Sequence, residues 1–103
     1  MRYGAHLPLI NLDGREWRFS DLADFTDAAR ELGFDYLTAN DHLVFPRPWL
    51  DGIVALASII ERSAGLRLAT TIALPVVRGP VALAKAAAAL DILSEGRLVL
   101  GVK

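Results

Sequence analysis

The chain has 103 residues, of which 53% are hydrophobic and 22% charged, with a formal net charge of −1. This composition excludes a disordered or fibrous chain, and the near-neutral charge removes the electrostatic basis for binding nucleic acid or an acidic membrane surface. Cysteine is absent, which excludes disulfides and thiolate metal sites and is compatible with a reducing compartment.

Residues 2–7 read as a first strand, and the amino-terminal stretch lacks the apolar run and cleavage site of a secretion signal. Trp17 and Phe19 fall in the following loop, as a lid or a hydrophobic staple. The first helix is expected to start at a Ser20 cap with Asp21 near the positive end of its dipole, and Leu22, Phe25, Ala29 and Leu32 form its apolar stripe. A short strand at 36–39 runs directly into Asn40-Asp41-His42. Asp51 is the expected cap of a second helix whose stripe is Ile53, Leu56, Ala57 and Ile60. Strand three covers 66–73, with Thr70, Thr71 and Ile72 at its carboxyl end and Leu74-Pro75 beyond. The third helix opens on Gly79-Pro80, a tolerated first-turn proline, and carries Leu83, Ala87 and Leu90. Its alanines at 86–89 favour helix and close packing. The last strand is 97–102.

Gly33, Gly65 and Gly96 each follow an amphipathic stretch and precede an apolar run, as left-handed helix ends do. The order is therefore βαβαβαβ, an α/β chain with a parallel sheet and right-handed crossovers. An open doubly wound sheet and part of a (β/α)8 TIM barrel share that order. No Gly-x-Gly-x-x-Gly turn follows strand one, where Leu7-Pro8-Leu9-Ile10 stands instead, and this favours the barrel. A whole barrel needs about 250 residues, so a truncated or partial chain is expected, one ending on a strand after about half of the barrel. The longest nearly apolar stretch, 68–77, is too short to span a bilayer, and a soluble cytoplasmic protein is expected.

Chemistry in such folds sits at the carboxyl ends of the strands. His42 lies there and is suited to general acid or base work, with a solvated loop histidine as the plainer reading. Asp41 is placed to orient that imidazole or to cap a turn. His6, near the end of strand one, lines the same pocket or packs with one backbone hydrogen bond. A metal site built from His6, Asp41 and His42 lacks the usual ligand spacing, and none is expected. Trp49 walls an aromatic cofactor or packs under its loop. Arg78, just before the third helix, meets a phosphate at that helix's amino end or is solvated.

Four segments carry a resemblance. They are Tyr3-Gly4-Ala5-His6-Leu7-Pro8, Ala39-Asn40-Asp41-His42-Leu43, Leu68-Ala69-Thr70-Thr71-Ile72-Ala73-Leu74-Pro75 and Ser94-Glu95-Gly96-Arg97-Leu98-Val99-Leu100-Gly101-Val102. Together they resemble the amino-terminal half of the bacterial luciferase-like monooxygenases, enzymes that use flavin mononucleotide (FMN) or the deazaflavin coenzyme F420. The resemblance implies a (β/α)8 barrel binding the tricyclic ring on its carboxyl face. It places His42 and Asp41 in the catalytic role and His6, Thr70, Thr71 and Ile72 against the cofactor. It also implies a bulge and a non-prolyl cis peptide at Thr71-Ile72. Trp49 stands later after the Asp-His pair than the family's usual tryptophan. The family's continuation of strand four into a glycine-rich loop is replaced by Gly101-Val102-Lys103, so the isolated chain is expected to be inactive.

The reading is an oxidoreductase that moves hydride, or with oxygen a hydroxyl, between a flavin-type ring and a small organic substrate. Two others stand beside it. One is a non-catalytic half-barrel that forms a homo-oligomer or joins a companion chain through open sheet edges. The other is a different TIM-barrel enzyme, such as a metal-dependent hydrolase.

Overall fold

The computed structural model describes residues 1–11 and 13–103. Eight elements follow one another: β1 (Gly4–His6), α1 (Phe19–Glu31), β2 (Tyr36–Ala39), α2 (Gly52–Ser58), β3 (Arg67–Ala73), α3 (Pro75–Arg78), α4 (Pro80–Leu93) and β4 (Leu98–Val102). The four strands form one parallel sheet in the order β1-β2-β3-β4. This is the expected α/β arrangement, and α3 is an addition to it. Leu74-Pro75 opens that extra turn because a proline at the first helical position has no amide hydrogen to leave unpaired.

Helix α1 begins at Phe19 with Arg18 as its cap residue, which corrects the expected Ser20 cap. The Arg18 backbone N–H donates to the Asp21 carboxylate at 3.1 Å. The acid in the first turn thus ties down the helix start, and Ser20 is left inside the turn. Trp17 and Leu22 line one groove with Phe19, in the positions of a hydrophobic staple. The buried face of α1 is Leu22, Ala23, Thr26 and Ala29. Thr26 is tolerated there because its hydroxyl donates to the Leu22 carbonyl at 2.8 Å. Leu32 does not join the stripe: it is the cap residue at the helix end and is 76% exposed.

Helix α2 is capped as expected, the Asp51 carboxylate accepting from the Val54 N–H at 2.9 Å. It is shorter than expected, ending at Ser58, and turns carry the chain on to Gly65. It buries Gly52, Ile53, Ala55 and Leu56, so Ile53 and Leu56 lie as expected, whereas Ala57 is exposed and the buried face continues instead through the series Gly52, Leu56, Ile59. A glycine at one member of that i, i+4, i+7 series hides the series from a reading of apolar residues. Gly33, Gly65 and Gly96 adopt φ of 82°, 89° and 81°, the left-handed ends expected of them.

Helices α1, α2 and α4 pack their buried residues against the sheet. Leu7, Leu9, Leu22, Ala29, Leu37, Leu56, Ile59, Leu68 and Leu90 form the main buried cluster, and Ile53, Ala73 and Leu83 form a second one near the carboxyl rim. Burying each large aliphatic side chain contributes about 1.5–3 kcal/mol. Gly4 pairs with Tyr36 and His6 with Thr38, so these four share the opposite face, where His6 is exposed and Tyr36 and Thr38 are half-buried.

Geometry of the candidate active site

The carboxyl ends of β1, β2 and β3 form one rim because the register is nearly level. His6 stands beside Thr38, and Ala39 beside Thr70. Beyond β2 the chain stays on its neighbour, and the Asp41 N–H donates to the Ile72 carbonyl at 3.3 Å. The Asn40-Asp41-His42 run is therefore adjacent to the end of β3.

Between Thr70 and Ala73 the β3–β4 register shifts: β3 advances three residues while β4 advances two, from Leu100 to Val102. This is a bulge, and the Thr71-Ile72 peptide inside it is cis. Thr70 secures the bulge from beneath, its hydroxyl donating to the Gly101 carbonyl at 2.7 Å and accepting from the Gly101 N–H at 2.9 Å. Residue 101 must be glycine for this, since a Cβ there would lie 2.5 Å from the Thr70 carbonyl oxygen. Thr70 is buried, whereas Thr71 and Ile72 are exposed at the rim.

His42 is half-buried in an aromatic group. Its ring centroid is 4.3 Å from that of Trp49, edge to face, and 4.6 Å from that of Phe45. Among the described residues no hydrogen bond engages its imidazole. Trp49 is held in turn by its indole N–H, which donates to the Asn40 side-chain oxygen at 3.1 Å, and by a bridge to Ile10. His6 is exposed rather than packed, with Nδ1 2.8 Å from the Leu7 carbonyl oxygen. Facing a carbonyl, Nδ1 must be the donor, which leaves Nε2 of the neutral ring as an acceptor.

Asp41 does not orient His42; its carboxylate turns the other way. Oδ2 accepts from the Leu74 N–H at 2.9 Å, and the Arg78 guanidinium grips both oxygens at 2.7 and 2.6 Å. Burial pushes the Asp41 carboxyl up, but the Arg78 hydrogen bonds, the Leu74 amide and the nearby positive charges outweigh it and hold the group below the ordinary Asp value. Arg78 is neither solvated nor free for a phosphate, since it also donates to Asp51 at 2.5 Å. Asp41, then Asp51 as second partner, raise its pKa further.

The rim thus places His6, Thr71, Ile72 and His42 at or just beyond the carboxyl ends of neighbouring strands, while the side chains of Asp41 and Thr70 are engaged at its base by Arg78 and Leu74 and by Gly101. The Arg78 ion pairs escaped sequence reasoning because the partners lie 37 and 27 residues away. An arginine placed just before a Gly-Pro helix start was the one visible signal.

The family model for luciferase-like monooxygenases matches residues 4–102. The F420-dependent glucose-6-phosphate dehydrogenase of Amycolatopsis mediterranei (strain U-32) is 30% identical over 89 residues, which cover 80% of this chain and 26% of the relative. The monooxygenase RslO1 from Streptomyces bottropensis superposes with a TM-score of 0.85 at 29% identity, covering 99% of this chain and 32% of that one. The oxygenating constituent of 3,6-diketocamphane monooxygenase from Pseudomonas putida, a type II Baeyer-Villiger monooxygenase in complex with FMN, has a TM-score of 0.82 at 22% identity and covers 100% and 29%. That last likeness is one of fold. The chain spans about a quarter of the length of the curated relatives it matches.

Proposed function

This chain belongs to the luciferase-like monooxygenase family, and from that premise we propose that its four strands are the first half of a (β/α)8 barrel that binds deazaflavin F420 and oxidises or reduces a small organic substrate. The single observation that carries the reading is the placement of His6, Thr71, Ile72 and His42 along one carboxyl rim, beside a bulge that presents the end of β3.

The residues present fit a flat tricyclic ring. Ile72, 41% exposed, offers apolar contact at the bulge, with the Thr71 hydroxyl beside it and His6 Nε2 as a free acceptor. When bound, F420 supplies the hydride chemistry, and the protein supplies orientation and proton transfer. Removing hydride from a carbon that bears a hydroxyl also releases the hydroxyl proton. His42 takes that proton on an imidazole nitrogen in oxidation and returns it in reduction. The edge contact with Trp49 and the packing of Phe45 fix the plane of the ring.

F420 is favoured over FMN by the name of the Amycolatopsis relative. Similarity to RslO1 favours a monooxygenase as the second reading, in which reduced FMN, as in the 3,6-diketocamphane enzyme, and molecular oxygen would put one oxygen atom on the substrate as a hydroxyl and release the other as water. The deciding experiment uses a complete barrel enzyme containing this segment, titrated with F420 and with FMN by fluorescence. Its His42→Ala variant is expected to transfer hydride about 10²–10⁴-fold more slowly with nearly unchanged cofactor affinity. An unchanged rate removes His42 from catalysis, and FMN binding without F420 binding selects the second reading.

A further inference from the structure

We infer that Arg78 is a positioning residue, a clasp that closes the base of the loop carrying the aromatic wall and fixes that wall at the rim. The loop leaves β2 at Asn40 and enters α2 at Asp51, with His42, Phe45 and Trp49 between. Its two ends each present a carboxylate, and one nitrogen of Arg78 meets both, Asp41 at 2.6 Å and Asp51 at 2.5 Å. The clasp comes from the next βα unit, since Arg78 is the last residue of α3.

Several features make this a built device rather than a surface ion pair. The Asp41 and Arg78 side chains are only 3% and 17% exposed, so solvent does little to screen them. The Asp41–Arg78 contact is bidentate, which fixes orientation as well as distance. Asp41 also receives the Leu74 N–H, so the same carboxylate ties the loop to the turn that follows the bulge. His42 is the next residue after Asp41, and Trp49 stands two residues before Asp51. Releasing Arg78 removes the side chain that joins the carboxylates at the two ends, leaving each end with its own backbone ties, Asp41 to Ile72 and Leu74 and the Trp49 segment to the strand-like bridge at Ile10. The indole bond to Asn40 then remains as the side-chain tie across it.

The inference rests on the proposed function only for what the wall faces; its test needs no cofactor. In a Trp17→Phe background Trp49 is the sole tryptophan of the chain. Its near-ultraviolet circular dichroism band reports fixed coupling to His42 and Phe45, and acrylamide quenching reports its accessibility. Arg78→Met is expected to abolish most of that band and to raise quenching while the far-ultraviolet spectrum is retained. Arg78→Lys, which keeps the charge without the fork, should restore part of the band. Lost global stability alone moves neither readout in a sample that is still folded.

Asp51→Ser keeps an α2 cap but is too short to reach Arg78, and is expected to lose the band in part. If Arg78→Met unfolds the chain, Asp51→Ser decides. An unchanged band and unchanged quenching in the folded variants overturn the clasp. Failure of the complete enzyme to bind F420 or FMN overturns the functional reading and leaves this result standing.

Discussion

Replacing Gly52 by alanine sets two effects of opposite sign against each other at the site. Alanine is the better helix former, by up to about 1 kcal/mol in a helix interior. Gly52, however, is the first residue of α2 and is buried against the end of β2. A Cβ there would lie 2.5 Å from the Asn40 carbonyl oxygen and 3.3 Å from Ala39 Cβ. Ordinary carbon–oxygen contact needs about 3.3–3.6 Å, so α2 and the Asn40 peptide must separate by nearly ~1 Å. Neither can yield cheaply. The neighbouring Ala39 is locked in register with Thr70, and the helix start is held by the Asp51 cap. Forced overpacking of this kind costs about 1–3 kcal/mol, which exceeds the propensity gain. Net destabilisation of about 1–2 kcal/mol is expected, a fall in Tm of about 4–8 °C for each kcal/mol in a domain of this size. Urea unfolding followed by circular dichroism measures it, with the exposed Ala57→Gly as a gauge of propensity within the same helix. Because Asn40 precedes His42 by two residues, the complete enzyme should also lose up to about 10² in rate from a ~1 Å displacement. A Gly52→Ala variant as stable as the parent would refute the reasoning, because the clash would then have been relieved without strain.

At the opposite rim, Arg97 donates five hydrogen bonds to Ile60, Ser63, Leu66 and Ser94, all to uncharged oxygens. Arg97→Ala, leaving two of those acceptors unsatisfied, should cost about 2–6 kcal/mol by denaturant titration, without altering the Trp49 signal. The Asp41 carboxyl, held below its unfolded value, contributes stability that is complete above that value, near ~3.9, and is lost as pH falls through the lower folded value. Acid titration of the urea midpoint should therefore fall below about pH 4, and Asp41→Asn should flatten that fall. The sheet has β1 and β4 as open edges, and Val99, Leu100 and Val102 are exposed on β4. Self-association of this chain is expected in sedimentation at rising concentration, and a monomer throughout would contradict it.

Local signals were sufficient for the order of the four strands and the three longer helices, but not for the short α3. Strand runs, helix stripes and left-handed glycines at 33, 65 and 96 act within a few residues, and each is visible along the chain. The Asp51 cap and the Gly79-Pro80 helix start are of the same kind. Where local rules competed, the structure chose differently. Asp21 tied down the helix start in place of Ser20, and Gly52 shifted the buried face of α2 so that Ala57 faces solvent.

Which polar residue does what was not legible in the same way. Asp41-His42 reads in sequence as a catalytic pair, yet Asp41 is turned away by an arginine 37 residues distant, and only tertiary packing brings that charge close. The distance between Trp49 and His42 likewise depends on a loop folded back on itself, not on spacing. By itself the chain determined a parallel α/β order with polar residues at the strand ends, because periodicity and capping are local energies. The tertiary structure alone decided that His42 packs on Trp49 and Phe45 while Asp41 is bound by Arg78, because the partners of a buried charge are set by whatever the fold places within hydrogen-bond reach.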